Sequence, residues 1–159
     1  MAAIYESENF VIESAEKPHV DRDDGGHIII FPKLKILDRQ QLAPKQAIEL
    51  MKLTIVAGQA MNIVMNRHGV DIGRINYQDN GNWSVLKLQG SYLHIHIYGR
   101  AKSAKYQKYG QSMFLPHRDE HPEYYEKFKQ LNPADVKDLG REIVRLLKEK
   151  KFSDSEWVI

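Results

Sequence analysis

The 159-residue chain contains no cysteine. That excludes a disulfide framework, a thiol nucleophile and a zinc site built on thiolates. It has little charge imbalance: 23 lysines and arginines face 21 aspartates and glutamates, a formal net charge of +2. Bulk electrostatics therefore give no argument for a nucleic-acid partner. No uninterrupted apolar run approaches the roughly 20 residues of a bilayer span, so a membrane protein is not expected. The N-terminal Met-Ala-Ala-Ile-Tyr-Glu-Ser-Glu is acidic and lacks a basic segment leading into an apolar one, unlike a secretory signal. These absences point to a cytoplasmic protein. What is present is an ordinary globular balance, 42% hydrophobic and 28% charged, with the length of one domain spanning residues 1–159.

Local patterning predicts an α+β fold. Residues 9–13 and 27–31 read as strands; the second, His27-Ile-Ile-Ile-Phe31, is apolar on both faces and stopped by Pro32, which suits a central position. Between them, residues 21–26 (Asp-Arg-Asp-Asp-Gly-Gly) form a turn cluster in which Asp23 and Asp24 read as solvated. A long helix is expected from Pro44 to Arg67, ended by Gly69, with Gly58 marking a close approach of its backbone to a sheet. Strands follow at 72–78, 83–88 and 92–98, the first two joined by an Asn80-Gly81 hairpin turn. Strands collected before and after a helix, without βαβ alternation, argue for an antiparallel sheet of about five strands. Asn132-Pro133-Ala-Asp135 opens a last helix running to Lys150, with Asn132 and Asp135 forming a variant capping box.

Chemistry concentrates in Tyr92-Leu-His94-Ile-His96-Ile-Tyr98. Period-two alternation puts the aliphatic residues on one face and two imidazoles on the other, about 7 Å apart along a strand. Such a pair can chelate a transition metal if a third ligand, from His27 or His68, completes the site. Alternatively, one neutral imidazole attacks phosphorus while the other holds developing charge. The segment 100–111 carries four basic residues (Arg100, Lys102, Lys105, Lys108), two tyrosines and no acid, and reads as a flap that attracts phosphate. His117 and His121 fall in a polar, proline-bearing loop and read as surface residues.

This ordered set resembles the histidine triad (HIT) superfamily of nucleotidyl hydrolases and transferases. The family signature of histidines alternating with apolar residues stands here as Tyr92-Leu-His94-Ile-His96, and His27-Ile-Ile-Ile-Phe-Pro32-Lys33 is similar to its upstream strand. The resemblance covers residues 10–100 and leaves 101–159, a basic loop and a helix, without counterpart. It implies a HIT-like fold and catalysis at the α-phosphate of a phosphoramidate or dinucleoside polyphosphate. His94 would be the nucleophile, forming a covalent nucleotidyl-histidine, and His96 would contact the phosphate. It further implies that His27, Asn76, Gln89 and Ser91 bind substrate; Arg100, from the basic segment, and Tyr92, through its hydroxyl, are read as further substrate contacts. No resident metal is required, a divalent ion accompanying the substrate at most, and a homodimer is expected. Tyr92 replaces the first histidine of the triad, so the chain is a two-histidine variant. Two alternatives follow: a nucleotide- or partner-binding HIT-like module that has lost turnover, and a metal enzyme ligated through His94 and His96.

Overall fold

The computed structural model describes residues 2–84, 88 and 90–157. Five strands form one antiparallel sheet: β1 (Ala2–Glu6), β2 (Phe10–Ser14), β3 (His27–Pro32), β4 (Ile72–Gln78) and β5 (Ile95–Ala101), in the order β1-β2-β3-β5-β4. The isoleucine-rich β3 is central, as its two apolar faces predict. Ile28 and Ile30, with Ile95 and Ile97 opposite them on β5, face helix α1 (Pro44–Arg67) and are buried. The alternate residues place His27 opposite Tyr98 and Ile29 opposite His96 on the other face.

Helix α1 begins and ends where the sequence predicts. By length and composition alone it would pass for a membrane span, although charged residues interrupt its apolar run. Ten of its residues are buried in the protein, as in a core helix. Gly58 does mark a close approach: any Cβ there would collide with the Tyr77 hydroxyl of β4. Beyond two single-turn helices, α2 (Pro122–Tyr125) and α4 (Asp154–Trp157), the last third contributes α3 (Pro133–Leu147). Its N-terminus carries the predicted capping box: Asn132 Oδ1 accepts from the Asp135 amide and Asp135 Oδ2 from the Asn132 amide, both at 2.9 Å. Leu139, Ile143 and Leu146 are fully buried against the core.

Four expectations require correction. Strand β1, an edge strand of mixed polarity, has no clear sequence signal. The Asn80-Gly81 turn does not close a hairpin; β4 pairs directly with β5 across the connection 79–94. Of the strand expected at 83–88, Trp83 and Ser84 lie in a 3-10 turn (Asn82–Ser84), and 85–87 lie outside the described residues. Asp24 is not solvated: it is 2% exposed, and its carboxylate accepts the backbone amides of Lys105, Tyr106 and Gln107 at 2.7, 2.7 and 2.9 Å. That cradle ties the basic segment to the turn before β3, since three amide donors satisfy a buried carboxylate.

Candidate active site

The sheet face opposite α1 carries a cavity of about 420 Å³. His94, His96, Ile29 and Tyr92 line it from the sheet side, Trp83 and Asn80 from the β4–β5 connection, and Leu115 from the last third of the chain. His94 stands immediately before β5 rather than within it, and its ring centroid is 4.5 Å from that of His96, the two rings nearly perpendicular. The two rings therefore lean closer than the roughly 7 Å repeat of a regular strand.

Hydrogen bonds assign a tautomer to each ring. His94 Nδ1 lies 2.8 Å from the Tyr92 carbonyl, which can only accept, so Nδ1 holds a proton and in the neutral ring Nε2 keeps a bare lone pair. Behind His96 the logic reverses. The His19 amide donates to His27 Nδ1 at 3.1 Å, so neutral His27 carries its proton on Nε2. That proton is donated to His96 Nδ1 at 2.9 Å, which leaves His96 with Nε2–H. Of the three imidazoles that line the cavity, His94, His96 and His19, the first can thus donate an electron pair and the second a hydrogen bond.

Burial reinforces this division. It pushes His96 down to about 3, with help from the neighbouring His94 and His19. It pushes His19 down to about 4, with Arg118 and His94 adding to the effect, and places His27 well below the usual histidine range. All three are neutral at pH 7 because low-dielectric surroundings penalise the cation. His96 therefore acts as a fixed dipole rather than as a cation.

His19 has no sequence signal of function, following Glu16-Lys17-Pro18 in an irregular run. The chain's return from β2 toward β3 brings it onto the cluster: its ring stacks 5.0 Å from His27, and Nδ1 shares a 2.9 Å hydrogen bond with the Tyr98 hydroxyl. Nitrogen atoms of His19, His27 and His96 all lie within 4.8 Å of one another, a set that could hold a metal ion. This is a different trio from the His94–His96 pair considered from sequence. The last third supplies His117, whose ring is 5.0 Å from Trp83, and Arg118, whose guanidinium lies 4.3 Å over the Tyr125 ring and donates to the Lys17 and Pro18 carbonyls. His121 is exposed beside Glu123.

The other candidate residues scatter. Tyr92 lines the cavity, its ring 4.8 Å from His94. His27 is buried behind His96, one ring removed from the cavity. Ser91 borders a neighbouring depression with Tyr92 and Asp79. Asn76 and Arg100 bond each other at 2.7 Å farther along β4 and β5, and neither lines the His94 cavity. Gln89 lies outside the described residues. The basic flap does not cover the histidines; it packs over Asp24 and Arg100.

No family model matches the sequence, and no curated protein does. Solved structures do share the fold. A histidine triad protein from Bradyrhizobium japonicum aligns with a TM-score of 0.60 over 90% of this chain and 87% of its own, at 13% identity. A hypothetical histidine triad nucleotide-binding protein from Sulfolobus tokodaii gives 0.56 over 93% and 87%, at 15% identity. A zinc-bound histidine triad family protein from Mycobacterium smegmatis gives 0.53 over 91% and 84%, at 16% identity.

Proposed function

On a chain with the histidine triad fold, we propose a nucleotide hydrolase or nucleotidyl transferase acting at the α-phosphorus of a nucleotide derivative, a phosphoramidate or a dinucleoside polyphosphate. The observation that carries this reading is the opposed pair of tautomers lining one cavity: a bare Nε2 on His94 and an Nε2–H on His96. The His94 lone pair forms a bond to phosphorus while the bond to the leaving group breaks, and the leaving group departs with that electron pair and takes a proton from water. Water then attacks phosphorus, its proton neutralising the hydroxide left by the first step, the phosphorus–nitrogen bond breaks, and His94 recovers its lone pair. His96 donates its Nε2–H to a phosphoryl oxygen, a preorganised dipole that needs no reorientation as charge develops. Tyr92 and Trp83 give the cavity flat apolar faces that suit a heterocyclic base. The nucleotide-binding protein of Sulfolobus tokodaii, similar in fold, supports this substrate class.

The test is incubation with adenosine 5′-phosphoramidate and, separately, with a diadenosine polyphosphate, following nucleotide release. An alkaline quench and intact-mass measurement should reveal one added nucleotidyl group, absent from His94→Ala. Full activity of His94→Ala would overturn the assignment. Tight nucleotide binding with neither product nor adduct would identify the silent binding module instead.

The proximity of His19, His27 and His96 favours a second reading, a metal centre. Three neutral imidazoles are the donor set that zinc or copper accepts, and the zinc-bound protein of Mycobacterium smegmatis shares the fold. Occupation would sacrifice the His27–His96 hydrogen bond. Stoichiometric metal in the purified protein, with activity abolished by chelation, would select this reading. A homodimer belongs to the first reading; the edge strand β4 and the adjoining face of α1, where Tyr77 and Met51 are exposed, are its surface. Sedimentation of the wild type against Met51→Glu tests it, with a shift to monomer expected only in the variant.

A further inference from the structure

Farther along β5, the same sheet face carries two arginines, neither of which forms an ion pair among the described residues. Arg74 of β4 stands directly opposite Arg100 of β5. Like charges paired across strands repel. Arg100 is only 5% exposed, yet every partner it has is neutral. One terminal nitrogen donates to Asn76 Oδ1 at 2.7 Å, and the other to the carbonyls of Lys108 and Gln111 at 3.0 and 2.9 Å. Its Nε–H is buried without a hydrogen-bond partner among the described residues. Arg74 is exposed and, among the described residues, forms no ion pair. Asp24 is the carboxylate that acts on Arg100 through space, but its oxygens are already taken by three backbone amides.

Both arginines line a cavity of about 450 Å³, together with Asn76, Gln78, Gln111 and Ser112, with no carboxylate among its lining residues. The exposed fork of Arg74 can hold a compact oxyanion of two negative charges by paired N–H···O bonds, while Arg100, whose Nη2 hydrogens are spent on two carbonyls and one Nη1 hydrogen on Asn76, adds its charge and its one remaining Nη1–H. We propose that this cavity binds a phosphate group between Arg74 and Arg100, as a site separate from the one at His94. Six residues along a nearly extended run separate His94 from Arg100, about 20 Å, so a phosphate held at one is not the phosphate held at the other. The proposal stands whether or not His94 is catalytic.

The experiment uses the full chain and inorganic phosphate as the probe, titrated by calorimetry at constant ionic strength maintained with sodium chloride. The wild type should bind one phosphate per chain saturably. Arg74→Glu, at an exposed position where folding is not at risk, should bind at least about tenfold more weakly, as expected for loss of a charge-assisted pair. His94→Ala should bind as the wild type does. Absence of saturable binding in the wild type, unchanged affinity in Arg74→Glu, or lost affinity in His94→Ala would each overturn the proposal. Circular dichroism of both variants confirms that they are folded.

Discussion

Two groups of histidines in this protein differ in one chemical respect, the presence of acid. His19, His27 and His96 pack against one another and against Tyr98, with neutral hydrogen-bond partners throughout. His68, at the C-terminal end of α1, lies between two carboxylates: Nδ1 is 2.7 Å from Asp135 and Nε2 is 3.0 Å from Asp138. The hydrogen bond to Asp135 raises its pKa, burial opposes the rise, and Asp138 adds to it. The same carboxylate of Asp135 is held by Arg22 through two bonds of 2.8 and 2.9 Å. The same side chain is thus a neutral dipole in one place and, in the other, a bridge between carboxylates that favour its protonated form. The first arrangement serves chemistry; the second fastens α3 to the turn before β3 and to the end of α1.

The largest expected effect breaks the comparison at its chemical end. His94→Ala should lower kcat with an adenosine phosphoramidate by at least about a thousandfold, since removing a nucleophile eliminates the covalent route. His68→Ala should leave kcat unchanged in the folded protein. Parallel turnover assays of the two variants decide whether the acid-free group alone carries activity.

At the structural end, Arg22→Ala should cost about 3–5 kcal/mol in urea denaturation, because Asp135 is completely buried and loses its permanent counter-charge. Turnover by the folded fraction should match the wild type. A loss below about 1 kcal/mol would mean that His68 alone compensates the buried carboxylate.

Which half of this contrast the sequence discloses depends on whether its signals are local. The capping box at Asn132 and Asp135, the bounds of α1 at Pro44 and Arg67, and the alternation that puts His94 and His96 together are all short-range patterns, and each is realised. His19 is not legible, because the path of the chain between β2 and β3 brings it to the site and no periodicity marks it. Leu115 is equally silent: it reaches the cavity only because Gln107 bonds both the amide and the carbonyl of Phe114. Asp24 reads as a surface residue because its partners are backbone amides 81 to 83 residues away, which no side-chain pattern announces. The Asn80-Gly81 signal is not realised even locally: Gly81 does not take the positive φ of a primed turn, and β4 pairs with β5 across the longer connection.

A smaller effect tests whether the buried trio positions the donor at the cavity. His27→Phe removes the N–H that fixes the His96 tautomer while keeping a ring of similar shape. We expect kcat to fall about tenfold, the scale on which supporting hydrogen bonds act, with KM nearly unchanged. His27→Gln, whose amide can donate to His96 Nδ1, should recover part of the loss; a purely structural role predicts no such recovery.

The smallest effects appear as slopes of stability against pH, and the two histidine groups should have opposite signs. For the trio, the folded pKa values are depressed: about 4 for His19, about 3 for His96 and well below normal for His27. Below pH 6.5 the unfolded chain binds protons that the folded chain refuses, so each of these residues lowers stability as pH falls, by up to about 1.4 kcal/mol per pH unit. His68 works the other way. Its folded pKa is raised, so its contribution is complete below 6.5 and is lost as pH rises through the raised value. Thermal or urea unfolding from pH 4 to 9 should therefore show His19→Phe flattening the acid limb alone and His68→Gln flattening the limb above 6.5 alone. An acid limb untouched by His19→Phe would mean that protons enter the cluster freely, and the neutral donor assigned to His96 would then lose its physical basis.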